Sequence, residues 1–441
     1  EAPGRTLRVA SIDIGGGTTD MAITRYSLDD GVGSNVKISP TLLFREGFKV
    51  AGDDLLLDII QRCVLPALQA DLQKAGVADA SALLGTLFGD SGRMDTQAIL
   101  RQQTTLQLLM PLGHAILQAW EESDPADEMA GLYASVGDLL TRQPSVNVMN
   151  YLNQAIALAL PADASAYDLF AAPLQIRFSE LQEQMFAGKF SLCAPLHALC
   201  EVISHYRCDV LLVTGRPGCL PGVQALIRHL QPVPVSRMVW LEKYEVHEWY
   251  PFSKQGRVGN PKSTAAVGAM LCALALDLRL PRFNFKAADI GAYSTVRYLG
   301  VLDNESNILR DENIWYRDIN LDNPGEKLNA KLYFPLRGNV TLGFRQLDNG
   351  RWPATPLYTV AVNATSLAKA IAGDGVLNVR LALNGEKSRA PEGFTLAEAW
   401  LSDGTKVPVE QLTFKLNTLA DRRSSGSHYW IDSGSVYLKC L

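Results

Sequence analysis

The chain of 441 residues has no apolar run long enough to cross a bilayer as a helix: the longest candidate, 265–276, falls short, since about 20 residues are needed. Membrane insertion is therefore not expected, and the opening residues lack the apolar core of a secretory signal. A basic stripe is also missing. Lys and Arg number 41 against 46 Asp and Glu, a formal net charge of −5, so a nucleic-acid footprint is not expected. Cysteine is sparse and irregular, with seven residues from Cys63 to Cys440 and no paired spacing. That argues against a disulfide framework and for a reducing, cytoplasmic compartment, with secretion as an effector left open. One group, Cys193, His197 and Cys200 with His205 and Cys208 beyond, has helical spacing that would allow a metal. Leu196, Leu199, Val202 and Ile203 surround it, and buried thiols are ordinary core residues, which favours packing.

The remaining composition, 47% hydrophobic and 20% charged, is that of a globular protein large enough for two or more domains. Glu1 stands where a methionine would, and the chain enters an apolar stretch almost at once. Both point to a piece of a longer protein.

The most informative segment is Asp13-Ile14-Gly15-Gly16-Gly17-Thr18-Thr19-Asp20. It lies between the apolar runs 7–12 and 21–24, a pattern that predicts strand, tight glycine turn, strand. Without Cβ atoms, the glycines let backbone N–H groups approach an anion closely. Thr18 and Thr19 add hydroxyls, and Asp13 at a strand end can hold magnesium through its water shell. A plain glycine hairpin is the competing reading. The order of residues resembles the second phosphate loop of the superfamily that contains actin, sugar kinases and heat-shock chaperone ATPases. It is closest in form to the bacterial actin-like version.

Beyond the hairpin, 36–44 predicts a third antiparallel strand. Gly47 to Asp54 leads into a helix over 55–72, with Asp53 or Asp54 at its start. Simple capping accounts for those carboxylates, and the arrangement also resembles the superfamily's Gly-Gly-x-Asp helix start. Residues 75–190 read as mainly helical, with helices over 97–120 and 146–160 and loops near 85–95 and 124–131. No catalytic constellation is apparent there.

A buried strand at 208–214 runs into Gly215-Arg216-Pro217-Gly218-Cys219-Leu220-Pro221-Gly222 and a helix over 222–230. Strand, turn and helix in that order are common in any α/β protein. After the first motif, this segment resembles the superfamily's adenosine loop, Thr-Gly-Gly-Gly-x-x-Leu-Pro-Gly, with Thr214, Gly215, Leu220, Pro221 and Gly222 matching. Arg216 and Pro217 depart from it. Pro217 removes an N–H, while the guanidinium of Arg216 suits stacking on an adenine ring. A third segment, Gly259-Asn260-Pro261-Lys262-Ser263-Thr264-Ala265-Ala266-Val267-Gly268-Ala269, resembles the superfamily's connecting helix. Its Pro261 suits a helix start, but no acidic residue stands at Lys262, Ser263 or Thr264, where the superfamily usually has one.

Past about residue 282 the pattern becomes strand-like, at 294–302, 331–336, 340–347, 357–362, 377–383, 407–415 and 435–439. One helix is expected near 367–371, a turn at Asn384-Gly385 and a loop at 422–427. The segment from Asp289 to Thr295 faintly echoes the opening motif.

Together, the resemblance implies an α/β chain: a ribonuclease-H-like, actin-type ATPase lobe (1–74 and 191–281), a large helical insertion (75–190) and a mainly antiparallel β domain (282–441). It implies ATP and Mg²⁺ as cofactors of a complete two-lobed domain. Asp13 would serve as catalytic and metal residue, and Gly15, Gly16, Gly17, Thr18, Thr19, Gly215 and Arg216 as nucleotide contacts. The counterpart phosphate loop would belong to a first lobe that is not found here, so this part alone would hydrolyse ATP hardly at all. The Gly-Arg-Pro variant with an appended β domain resembles the bacterial SrfB family of virulence factors. The expected function is an ATP-dependent conformational switch acting on a protein partner of unknown identity. The alternatives are a nucleotide-free interaction scaffold and, third, a sugar or small-metabolite kinase.

Overall fold

The glycine octet divides the first apolar stretch into β1 (Thr6–Ile14) and β2 (Thr19–Asp29), paired antiparallel with Asp13 opposite Asp20 and Ile14 opposite Thr19. These coordinates are a computed structural model describing residues 6–29, 36–89, 97–281, 283–286, 294–303, 308–323, 325–363, 367–368, 371, 375–383, 393–417 and 430–436. The turn at Asn384-Gly385, the loop at 422–427, Cys440, 437–439 of the last expected strand and most of the Asp289 echo lie outside them. The helix expected near 367–371 is described only at 367, 368 and 371.

β3 (Val36–Phe48) continues the meander past the expected 36–44. Side chains alternate between faces along each strand. Ala10, Ile12, Ile14, Met21, Ile23, Phe44 and Phe48 are buried on one face, leaving Asp13 and Asp20 on the other. A helical rod follows: α1 (Gly52–Ile59), a π-helical turn (Ile60–Val64) and α2 (Leu65–Lys74). Its Leu55, Leu56, Ile59, Leu68 and Leu72 are buried at helical spacing.

The insertion holds α3 (Ala80–Phe88), α4 (Ala98–Thr104), α5 (Met110–Glu122), β4 (Gly131–Ser135), α6 (Val136–Leu139), α7 (Val146–Ala159), β5 (Pro173–Arg177) and α8 (Phe178–Phe186). β4 and β5 form a two-stranded antiparallel sheet that the sequence did not suggest. Two helices separate them in the chain, so no local turn announces the pair. α9 (Cys193–His205) then buries Cys193 and Cys200 and leaves His197 and His205 exposed. The thiol of Cys193 donates to the Met185 carbonyl at 3.2 Å. Among the described residues no group of three His, Cys, Asp or Glu is placed to hold a metal, and Cys193 lies in the hydrophobic core.

β6 (Val210–Thr214) runs parallel to β1, and α10 (Pro221–Leu230) crosses over to β7 (Met238–Trp240), parallel to β6. A small hairpin of β8 (Ser253–Lys254) and β9 (Arg257–Val258) precedes α11 (Thr264–Leu276). β10 (Phe283–Phe285) then returns to pair with β3. The six-stranded sheet has the order β10-β3-β2-β1-β6-β7.

The C-terminal residues have their own core, around Tyr316, Phe334, Val360, Leu377 and Val379. A five-stranded sheet comprises β11 (Tyr298–Val301), β12 (Ile314–Tyr316), β14 (Val340–Arg345), β15 (Thr355–Val362) and β19 (Leu412–Leu416). A four-stranded one comprises β13 (Phe334–Leu336), β16 (Leu377–Leu383), β17 (Phe394–Leu401) and β18 (Lys406–Val407). β12 and β17 were not foreseen; the Ala and Glu of Ala397-Glu398-Ala399 favour helix, and tertiary pairing overrides that preference. Trp352, Trp430 and Val436 belong instead to the first core, where Trp352 packs on Phe44 and Phe48.

Candidate functional site

The glycine turn is docked onto the helix that follows the sheet. Gly52 N–H donates to the Gly15 carbonyl at 3.0 Å and Asp53 N–H to the Gly16 carbonyl at 2.8 Å. In a trans peptide the carbonyl and the next N–H point in opposite directions. With both carbonyls held by α1, the N–H groups of Gly16 and Gly17 point away from that helix. Among the described residues, neither they nor Thr18 N–H has a hydrogen-bond acceptor, whereas Gly15 N–H closes the turn on Thr18 O at 2.9 Å. The tip thus presents consecutive free amide donors, the arrangement that receives an oxyanion.

Not every hydroxyl serves that end. Thr18 Oγ1 donates to Asp20 Oδ2 at 2.9 Å. Thr19 departs from the sequence expectation: it is fully buried and its hydroxyl donates to Val50 O at 2.7 Å. It ties β2 to the segment before α1, so no phosphate contact is available to it. At the helix start, Asp54 Oδ2 accepts the Ala51 N–H at 2.9 Å, and burial pushes this carboxyl up to about 6. Asp54 is the capping residue. Asp53 instead faces Gly16, where an added Cβ would lie 3.6 Å from its Oδ2.

The second motif meets the first at β6. Gly215 has φ +87°, and a Cβ there would lie 2.0 Å from Ile14 O; only glycine permits β6 to end so close to β1. A short 3₁₀ turn (Arg216–Cys219) leads into α10. Pro217 lies against Gly52, where a Cβ would come within 3.0 Å of Pro217 Cγ. The third motif joins through hydroxyls: Thr214 Oγ1 lies 3.0 Å from Thr264 Oγ1, and Thr264 donates to Pro261 O at 2.8 Å. Asn260 caps this turn by accepting Lys262 N–H at 3.1 Å.

These elements enclose a cleft of about 570 Å³ lined by Asp13, Gly15, Gly16, Gly52, Asp53, Gly215, Arg216, Pro217 and Lys262. The volume suits a small ligand. Gly17, Thr18 and Thr19 are outside its lining. Burial, and then the facing Asp20, raise the Asp13 carboxyl above its ordinary range, so a cation beside it would be favoured. That fits magnesium held by one carboxylate and water.

One wall comes from the insertion, where sequence reasoning saw nothing catalytic. α5 contributes His114, Leu117, Gln118 and Glu121. Glu121 Oε2 lies 3.3 Å from Arg216 Nε, so this guanidinium is paired across the cleft with the insertion. Burial, and then Arg216, lower the His114 pKa. The available signal was polar residues at i, i+4 and i+7 on an otherwise apolar helix. A groove of similar volume near Arg380, Trp400 and Lys406 lies on the C-terminal sheet, away from the hairpin.

The fold and cleft define a mixed α/β protein with a glycine-tipped hairpin at the edge of its cleft. The chain belongs to the SrfB family: the family model described as "Virulence factor SrfB" matches residues 1–437. No curated protein matches the chain.

Proposed function

We propose that this member of a virulence-factor family is a nucleotide-responsive conformational switch, built on a ribonuclease-H-like lobe of the actin and chaperone ATPase kind. The observation that carries this reading is the hairpin tip. Its carbonyls are held by α1 and its amides are turned outward, at the edge of a cleft that also holds Asp13 and the Gly215 loop. The sheet order supports it too, because an antiparallel meander followed by parallel β6 and β7 sets the strand ends β1 and β6 side by side. A phosphate would be received by the amides of Gly16 and Gly17. Asp13 would hold Mg²⁺ through its water shell, supplying charge neutralisation for the phosphates. Glu121 and Arg216 would have to separate or turn together to admit a base. The output would be a change in how the insertion and the C-terminal sheets present themselves to a protein partner. Hydrolysis is not part of this proposal for the chain by itself.

A nucleotide-free scaffold is the second reading. Pro217 favours it, because proline removes a donor from the Gly215 loop, and so does the lack of an acidic residue at Lys262, Ser263 and Thr264. Isothermal titration calorimetry with ATP, in magnesium and in EDTA, separates the two. The switch predicts magnesium-dependent binding that Gly16→Ala weakens, and no heat with any nucleotide rejects it.

A further inference from the structure

The segment from Glu46 to Asp53 is the back wall of the glycine hairpin. Phe48 pairs with Thr19, Val50 O accepts the Thr19 hydroxyl, and the amides of Gly52 and Asp53 hold the turn's carbonyls. Both ends of this short wall are gripped by tryptophans from the C-terminal part of the chain. Trp352 Nε1–H donates to Glu46 Oε2 at 3.1 Å, while Gly47 N–H donates to Oε1 at 3.1 Å. Trp430 Nε1–H donates to Asp53 O at 3.1 Å. Neither indole is loosely placed. Trp352 is 2% exposed between Phe44 and Phe48. Trp430 opens a short helical turn whose chain is seated in the insertion: Gly434 O accepts the Thr105 hydroxyl and Val436 N–H donates to Phe88 O at 2.8 Å.

We propose that these two indoles couple the C-terminal β sheets and tail to the glycine hairpin, so that the hairpin's stability and C-terminal docking form one equilibrium. Each contact ends on a group within the wall, and the wall supplies the hydrogen bonds that fix the turn. Loosening either indole therefore frees wall residues 46–53, and with them the carbonyls of Gly15 and Gly16. Coupling of this kind is reciprocal, so whatever orders the hairpin also tightens the C-terminal grip. The proposal needs no ligand and holds whether or not the cleft binds nucleotide.

Hydrogen exchange on the full chain without ligand tests it, comparing wild type with Trp352→Phe and Trp430→Phe. The expected result is an increase of about tenfold or more in exchange at the hydrogen-bonded amides of Gly15, Gly52, Asp53 and Leu55 in either variant. Faster exchange confined to 345–362 or 430–436, with Gly15, Gly52 and Asp53 unchanged, overturns it. If Trp352→Phe does not fold, Trp430→Phe decides alone, because it leaves the packing of Trp352 on Phe44 and Phe48 in place.

Discussion

Gly215 approaches β1 so closely that its missing Cβ would overlap the carbonyl of Ile14, at 2.0 Å from the oxygen. This joint sets the ends of two parallel strands side by side and so places the Gly215 loop next to the hairpin. Gly215→Ala meets both a steric overlap with backbone and a positive φ, and neither can relax without moving a buried strand. We expect a loss of more than about 3 kcal/mol, read as a fall in the urea midpoint. A variant as stable as wild type would mean that the joint is looser than described.

Gly16→Ala is the opposite case. Its Cβ would meet only Asp53 Oδ2, at 3.6 Å, which is an ordinary contact. The fold should therefore keep its stability within about 0.5–1 kcal/mol, while a phosphate approaching the turn amides meets the new methyl. Nucleotide affinity should drop about tenfold or more in calorimetry, with an unchanged circular dichroism spectrum. Equal affinity in both proteins would place the phosphate elsewhere.

The contrast between these two glycines shows what the sequence could and could not say. Asp13 to Asp20 was legible as a hairpin because apolar alternation on both sides and three glycines between leave few other conformations. The strand, turn and helix around Gly215 were legible for the same reason. Which glycine serves backbone geometry and which leaves room for a ligand was not legible, since both read as small residues in turns. Thr19 reads as a hydroxyl donor beside a phosphate, yet the strand's alternation sends it into the core. α5 was legible as a helix, but its polar ladder acquires meaning only once packing on α1 turns Glu121 towards Arg216. The grip of Trp352 on Glu46 spans about 300 residues of chain and has no local signature at all.

The Arg216–Glu121 pair is partly solvent-facing, with the Arg216 side chain 62% and the Glu121 side chain 29% exposed. An exposed pair contributes little to stability, under about 1 kcal/mol. Arg216→Ala and Glu121→Ala should therefore melt within a few degrees of wild type. Their effect should appear in the cleft instead. If the pair bars the base from the Gly215 loop, Glu121→Ala should bind ATP more tightly than wild type, whereas inorganic triphosphate should bind equally to both. Tighter binding of triphosphate as well would point to general charge removal rather than an opened mouth.

Asp13 is held above its ordinary carboxylate range by burial first and by Asp20 second. Ionising it therefore costs the fold, and Asp13→Asn removes that cost. We expect a small rise in melting temperature at pH 7 together with loss of magnesium-dependent nucleotide binding, at least about tenfold. Stability and binding moving in opposite directions is the signature of a residue kept for its charge. A variant that is both less stable and still able to bind would mark Asp13 as structural.

Glu46 gives the clearest pH test. The residue is 4% exposed, and burial pushes its carboxyl from 4.5 up to about 7 against the opposing hydrogen bonds from Gly47 and Trp352. Between those values the folded chain holds a proton there that the unfolded chain has released, so stability falls as pH rises. The contribution is fully present below about 4.5, is lost as pH climbs through about 7, and changes no further above that. The shift corresponds to roughly 3 kcal/mol as an upper figure. Asp54, pushed up to about 6, acts in the same direction, so the measurement is a difference. Urea unfolding of wild type and Glu46→Gln should be compared from pH 5 to 8. Glu46→Gln should gain on wild type steadily as pH rises and then level off. A difference that stays constant across that range would show that the carboxyl ionises at its ordinary pH despite its burial under Trp352.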